Sequence, residues 1–254
     1  MQFGFGTGVL WGTPLTDATG ATIAVPTPVQ LGVMQDMSLD ISWDIKELFG
    51  QSQFPVAVGR GKGKLTGKVK NAQISGSALD ALVFGQGYTA GSLTADYYDV
   101  LGSTVPTTPF TVTVTPPNAG TFSADLGVRD SNGQPMKRVA AAPTTGQYMQ
   151  AGAVYTFAAA DTGKQVFISY QYTATVAGSA KGTVKNVLLG QAPVFKADFF
   201  MNYGGDTLIL TLPNCVVSKF AIATKQDDFM IPEMDFSGFA DSAGNVMYWA
   251  TSEA

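Results

Sequence analysis

Two runs in the first third of the chain alternate residue by residue, and that alternation has one structural meaning. In MQDMSLDISWDIK, Asp36, Ser38, Asp40, Ser42 and Asp44 interleave with Met37, Leu39, Ile41, Trp43 and Ile45. In GRGKGKLTGKVK, Arg60, Lys62, Lys64, Thr66, Lys68 and Lys70 interleave with Gly59, Gly61, Gly63, Leu65, Gly67 and Val69. Successive side chains of an extended strand point to opposite faces, so each run reads as a strand with a polar face and a small or apolar one. Such a strand is half buried, its polar side towards water. The intervening KELFGQSQFPVAVG has the size of a long hairpin loop. Antiparallel pairing then sets an acidic row beside a basic row on one side of a sheet. Each opposite-charge pair contributes roughly 0.2–1 kcal/mol and fixes register more than stability.

The second run holds five of the fifteen Lys and Arg, and Gly beside Lys suggests a phosphate-binding loop. The spacing excludes it, because no start gives Gly, four residues, then Gly-Lys-Ser/Thr. The dinucleotide fingerprint also lacks its third Gly. Aromatic residues that could stack on bases are missing from the run. A formal net charge of −4 argues against non-specific nucleic-acid binding by the whole molecule. A solvated strand face therefore outweighs a nucleic-acid site.

Catalytic chemistry is hard to build. Histidine is absent, which removes the commonest general base and transition-metal ligand. Asp36, Asp40 and Asp44 share a face, but residues four apart on a strand stand roughly 13 Å from one another. Glycosidase carboxylate pairs stand about 5–10 Å apart. In DDFMIPEMDF, Asp227, Asp228, Glu233 and Asp235 lack the ordered spacing of a calcium loop and read as surface acidity. The lone Cys215 excludes an internal disulfide and reads as a small buried hydrophobe. The residues point to no enzyme, no metal and no cofactor.

Elsewhere turn chemistry dominates. Asp17 to Gly20, Asp130 to Gly133 and Asp241 to Gly244 share one pattern, an Asp that can cap a tight turn and a Gly that can take its left-handed position. One segment, SGSALDALVFG, reads as a helix: Ser75 or Ser77 caps it, Leu79, Leu82 and Val83 form its apolar face, and Gly85 ends it. A second strand pair follows. Val194, Lys196, Asp198 and Phe200 alternate with Phe195, Ala197, Phe199 and Met201, and Thr207, Ile209 and Thr211 alternate with Leu208, Leu210 and Leu212. Residues 93–175 differ in character: a Pro/Thr-rich stretch precedes TFSADLGVRDSNGQPMKRV and GAVYTFAAADTGKQVFISYQYT, each of which reads as a hairpin. The expected organisation is a β core of residues 1–92 and 176–254 with a small Ig-like or other β module, 93–175, inserted. The fold class is all-β and mainly antiparallel, a barrel or sandwich with one short helix. No apolar run approaches the roughly 20 residues of a membrane span. The opening MQFGFGTGVLWG has no basic start, so no secretory signal is expected.

Three stretches carry a family likeness: LFGQSQFPVAVGRGKGKLTGKVKNAQISGSALDALVFG, the inserted module, and FMIPEMDFSGFADSAGNVMY. Together they span most of the chain, and the sequence resembles the tail tube proteins (major tail proteins) of long-tailed bacteriophages. The resemblance implies a tail-tube-type β subunit that forms hexameric rings, stacked helically into a hollow conduit for genome ejection. It implies a place in the virion tail after synthesis in the host cytoplasm. The implied partners are other copies of the chain, the tape measure, tail terminator and tail tip proteins, and DNA in transient passage, with no membrane insertion. On that pattern strands 29–48, 57–73, 193–203 and 206–223 form the lumen wall. Asp36, Ser38, Asp40, Ser42, Asp44, Lys196, Asp198, Thr207 and Thr211 then face the lumen. Arg60, Lys62 and Lys64, with the apolar Phe3, Phe5, Trp11, Phe49 and Phe54, fall at subunit interfaces. The polar parity so assigned has a basic balance, which places part of the basic row against a neighbour's acids. The alternative is a β-sandwich surface module of a virion that binds a receptor or carbohydrate. It would show exposed aromatic residues on its loops.

Overall fold

The computed structural model describes residues 6–73 and 75–252. The fold is mostly antiparallel β with one short helical segment. It divides into two compact units, one of Met1–Tyr88 with Gly182–Ala254 and one of Thr89–Lys181. The boundaries expected from composition, near 92 and 176, fall inside the strands Tyr88–Tyr97 and Gln165–Gly182, because pairing continues across the change in composition.

The first unit holds β1 (Val9–Pro14), β2 (Val29–Gln30), β3 (Met34–Phe49) and β4 (Pro55–Asn71), then β13 (Phe195–Tyr203), β14 (Asp206–Ala221), β15 (Glu233–Phe239) and β16 (Tyr248–Ser252). They form one sheet in the order β2-β1-β13-β14-β15-β4-β3, with β16 also on β14. The sheet is open: its ends, β2 and β3, do not pair, so no barrel closes among the described residues. The four strands expected as one wall share this sheet, but β15 lies between β14 and β4.

One face of the sheet is the core. Val69, Phe195, Cys215 and Phe236 are wholly buried there with Leu10, Leu65, Leu212 and Met234. The helical segment belongs to the same cluster. It is α-helical over Gly76–Ala78 and continues with π geometry over Leu79–Phe84. Ser75 Oγ accepts from the Ala78 N–H at 3.2 Å, and Gly85, at φ 59°, ends it. Leu82 alone of the three expected apolar residues is fully buried, above Gly12, where a Cβ would meet its methyl groups at 2.6 Å.

The three Asp-to-Gly turns are built alike. Asp17, Asp130 and Asp241 each accept at Oδ1 from two backbone N–H groups, two and four residues on, at 2.8–3.0 Å. The glycines that close them have φ of 83°, 78° and 85°.

The second unit contains β5 (Tyr88–Tyr97), β6 (Ser103–Thr104), β7 (Thr111–Thr113), β8 (Thr121–Asp130), β9 (Lys137–Arg138), β10 (Gln147–Ala151), β11 (Val154–Phe157) and β12 (Gln165–Gly182). They make two four-stranded sheets, β7-β11-β10-β9 and β5-β12-β6 with β8 on β12. Tyr148, Tyr155 and Phe157 of one sheet meet Val128, Ile168, Tyr170 and Tyr172 of the other in a single core, which makes this unit a sandwich. Of the two hairpins expected here the first forms, though briefly, and the second does not: past the Asp130 turn Pro135 bridges Arg129 antiparallel and the Met136 N–H donates to the Val128 carbonyl at 2.8 Å. From Lys137 the chain crosses to the other sheet, where β9 pairs parallel with β10. The strands β11 and β12 lie in different sheets, separated by a 3₁₀ turn at Ala159–Asp161, and the hairpin formed is β10–β11.

Candidate functional site

The first unit offers two features, the polar face of its sheet and a ribbon that extends from its edge. In the β3–β4 ladder Asp36 opposes Lys70, Ser38 opposes Lys68, Asp40 opposes Thr66 and Ser42 opposes Lys64. The two rows therefore do share a face. Only the first pair is an ion pair, with Lys70 Nζ 3.4 Å from Asp36 Oδ2. The stronger contacts come from β15, which places Glu233 opposite Lys70 and Asp235 opposite Lys68. Glu233 Oε1 accepts from Lys68 Nζ at 2.6 Å and from Lys219 Nζ, on β14, at 3.0 Å. Those two ammonium groups, Lys68 first, hold the Glu233 carboxyl below its ordinary value, and Glu233 holds Lys68 above its own.

This corrects the charge balance expected of the face. Its basic excess is offset by Glu233 and Asp235, which belong to a strand paired with β4 and not to loose surface acidity. A signal for them existed: in EMDFSG, Glu233, Asp235 and Ser237 alternate with Met234, Phe236 and Gly238. Asp227 and Asp228 stay in the preceding loop, where Lys225 Nζ lies 3.8 Å from Asp228 Oδ2.

The same face continues on the far strands. Lys196 Nζ stands 2.9 Å from Asp198 Oδ2, and Thr211 Oγ1 donates to Asp198 Oδ1 at 2.7 Å. Trp11 opposes Asp198 from β1 and is partly exposed beside it. Thr207 opposes Asn202, whose Nδ2 donates to Thr207 Oγ1 at 3.1 Å.

Past Ile41 and Leu65 the β3–β4 pair leaves the body of the sheet, and both faces of the ribbon are exposed. The connection is much shorter than the fourteen-residue loop expected from the sequence, since strand pairing runs on to Phe49 and Pro55 and only residues 50–54 lie between the strands. A bulge interrupts the ladder. Trp43 opposes Gly63 but Ile45 opposes Arg60, so β4 carries one extra residue. Arg60 thereby leaves the basic row, and its guanidinium carbon lies 4.4 Å from the centroid of the Trp43 ring. Lys62 and Lys64 form no ion pair among the described residues. Trp43, Ile45, Leu48, Phe49, Val56 and Val58 are exposed along the ribbon, and Phe54 at its tip is 79% exposed. At its base lies a groove of about 770 Å³, lined by Ile41, Trp43, Leu65, Phe239, Met247 and Trp249. Phe3 and Phe5 lie outside the described residues.

Among the described residues no three of Cys, Asp and Glu gather into a group that could hold a metal ion. No helix among them is long and apolar enough to cross a membrane. Compared with protein-family models and with curated proteins, the chain matches none.

Proposed function

We propose that the chain is a structural subunit that assembles with its own copies, and that the assembly is the stacked hexameric ring of a phage tail tube. The observation that carries this reading is the β3–β4 ribbon: a sixteen-residue edge strand whose outer part is an arm with apolar side chains left exposed among the described residues. A long open edge with exposed apolar residues is an aggregation hazard on a monomer. Closed rings remove that hazard by giving every edge the same partner.

The polar face supports the conduit part of the reading. Lys68, Lys70, Lys196 and Lys219 are matched within the chain by Asp36, Asp198 and Glu233, so the part of the face over the body of the sheet presents compensated charge to whatever lies beyond it. A wall of that kind has little hold on a polyanion, whose binding strength comes from unmatched Lys and Arg. Lys62 and Lys64 then meet acids of a neighbouring copy.

Negative-stain electron microscopy of the purified protein over a range of concentration tests the reading. Rings or hollow tubes with sixfold symmetry are expected. Isolated monomers at every concentration would sink it.

A further inference from the structure

We propose that the 89–181 unit carries a carbohydrate-binding site at the bulge of β8, which takes one pyranose ring of a neutral glycan. The observations lie within this unit, and the proposal does not depend on the assembly reading. Ser169 of β12 opposes Gly127, but Tyr170 opposes Asp125, so Leu126 is the extra residue of a β-bulge. Gly127 permits it with φ of 106°, and its N–H donates to Asp125 Oδ1 at 2.9 Å. Bulges re-aim side chains, and here Leu126 is turned outward, half exposed.

Leu126 lines a groove of about 550 Å³ together with Tyr98, Arg129, Asp96 and Ser169. Tyr98 is 64% exposed, although an aromatic ring of that size is ordinarily well covered. It is also held in place: the Arg129 guanidinium carbon lies 4.4 Å from its ring centroid, and Arg129 Nη2 donates to the Asp99 carbonyl at 3.0 Å. Asp96 is fixed by Gln171, whose Nε2 donates to Asp96 Oδ1 at 3.1 Å.

A pyranose offers an apolar C–H face and a rim of hydroxyls that both donate and accept. The Tyr98 ring and Leu126 suit the face. Arg129 has N–H donors beyond the one used on Asp99, and the Asp96 carboxylate has lone pairs beyond the one used by Gln171, so both can serve the rim. One cation and one anion in the same groove favour an uncharged ligand over a phosphate or an acidic sugar. Because both groups are already tethered, little ordering is needed when the sugar arrives.

Saturation-transfer NMR on the full chain, with the methyl glycosides of glucose, galactose, mannose and N-acetylglucosamine as probes, tests the site. Transfer to at least one glycoside is expected from the native protein. Tyr98→Ala should weaken that binding by about tenfold, the scale of one aromatic contact. Asp96→Ala is the second variant and should also weaken it, while Phe229→Ala, in the other unit, leaves it unchanged. No transfer from the native protein to any of the four, or equal transfer from both groove variants, overturns the proposal.

Discussion

The Phe236 ring lies over Gly67, its partner across the β15–β4 ladder, and a Cβ on Gly67 would overlap the ring carbons. This relationship explains a glycine in the middle of a strand, where Gly otherwise weakens the structure. Gly67→Ala should destabilise the chain by about 1–3 kcal/mol through overpacking. Gly59, where a Cβ meets nothing within 4 Å, is the control. Gly59→Ala should fall within about 0.5 kcal/mol of the native protein. Urea midpoints for the two variants check the contrast.

Glu233 should give the fold part of its acid sensitivity. Its carboxyl is held below the ordinary 4.5, by the Lys68 hydrogen bond first and the Lys219 bond next. A depressed carboxylate contributes stability that is present above its unfolded value and is lost as pH falls through the lowered folded one. Glu233→Gln should therefore lower the melting temperature most near neutrality. The gap should narrow as pH drops below about 4.5. Scanning calorimetry from pH 7 to pH 2 measures it, and a gap that stays constant would count against the ion cluster.

Cys215 should be chemically silent in the native protein. It is wholly buried, and burial pushes its thiol up to about 12. The thiolate is the reactive form. An aromatic disulfide reagent at pH 8 should label unfolded chain promptly and native chain only at the rate of opening. Equal rates would contradict the burial.

Asp125 should be the most sensitive polar residue of the sandwich. Its side chain is 5% exposed, and it accepts from Tyr148 Oη at 2.8 Å and Tyr155 Oη at 3.0 Å. Both phenols are raised above their ordinary 10, by burial first and by this carboxylate as well. Asp125→Ala strands both hydroxyls and should cost about 3 kcal/mol or more. Tyr148→Phe, which removes one partner only, should cost about 1–2 kcal/mol. Thermal unfolding of the full chain ranks them, and the reverse order would refute the network.

The ribbon tip should govern assembly without governing the fold. Phe49→Asp with Phe54→Asp alters side chains already exposed, so melting should stay within about 0.5 kcal/mol of native. Rings should fail to form in electron micrographs. Lys62→Glu with Lys64→Glu should impair rings as well. If both double variants assemble normally, the ribbon is not the contact.

What the sequence made legible was local. Alternation at 36–42 and 64–70 gave the two faces, and each Asp-to-Gly turn formed because its hydrogen bonds span only four residues. Less legible was whatever depended on distant partners. The ion pairs of Lys68 lie on β15, more than 160 residues away, so the basic run looked unmatched. The bulge at Arg60 is invisible to parity counting, since one extra residue reverses every side chain beyond it. Crossing between sheets is invisible in 121–173, where β8 pairs chiefly with the distant β12 and β11 pairs with β10 and β7 instead of β12. In the groove at Tyr98 the sequence offers only scattered residues, because a bulge and two separate strands bring them together.

The strand order also sets a timetable for synthesis. The sandwich is one continuous stretch, 89–181, and has all its pairing partners once β12 has emerged. The larger sheet does not, because β15 fills the place between β14 and β4. Until residue 239 leaves the ribosome, β4 has only its hairpin partner and the core face of that hairpin is bare. Such long-range closure is slow and exposes the nascent chain to mispairing. The five charged or glycine-flanked positions from Arg60 to Lys70 would then serve the chain before any assembly exists, by keeping a waiting strand in solution.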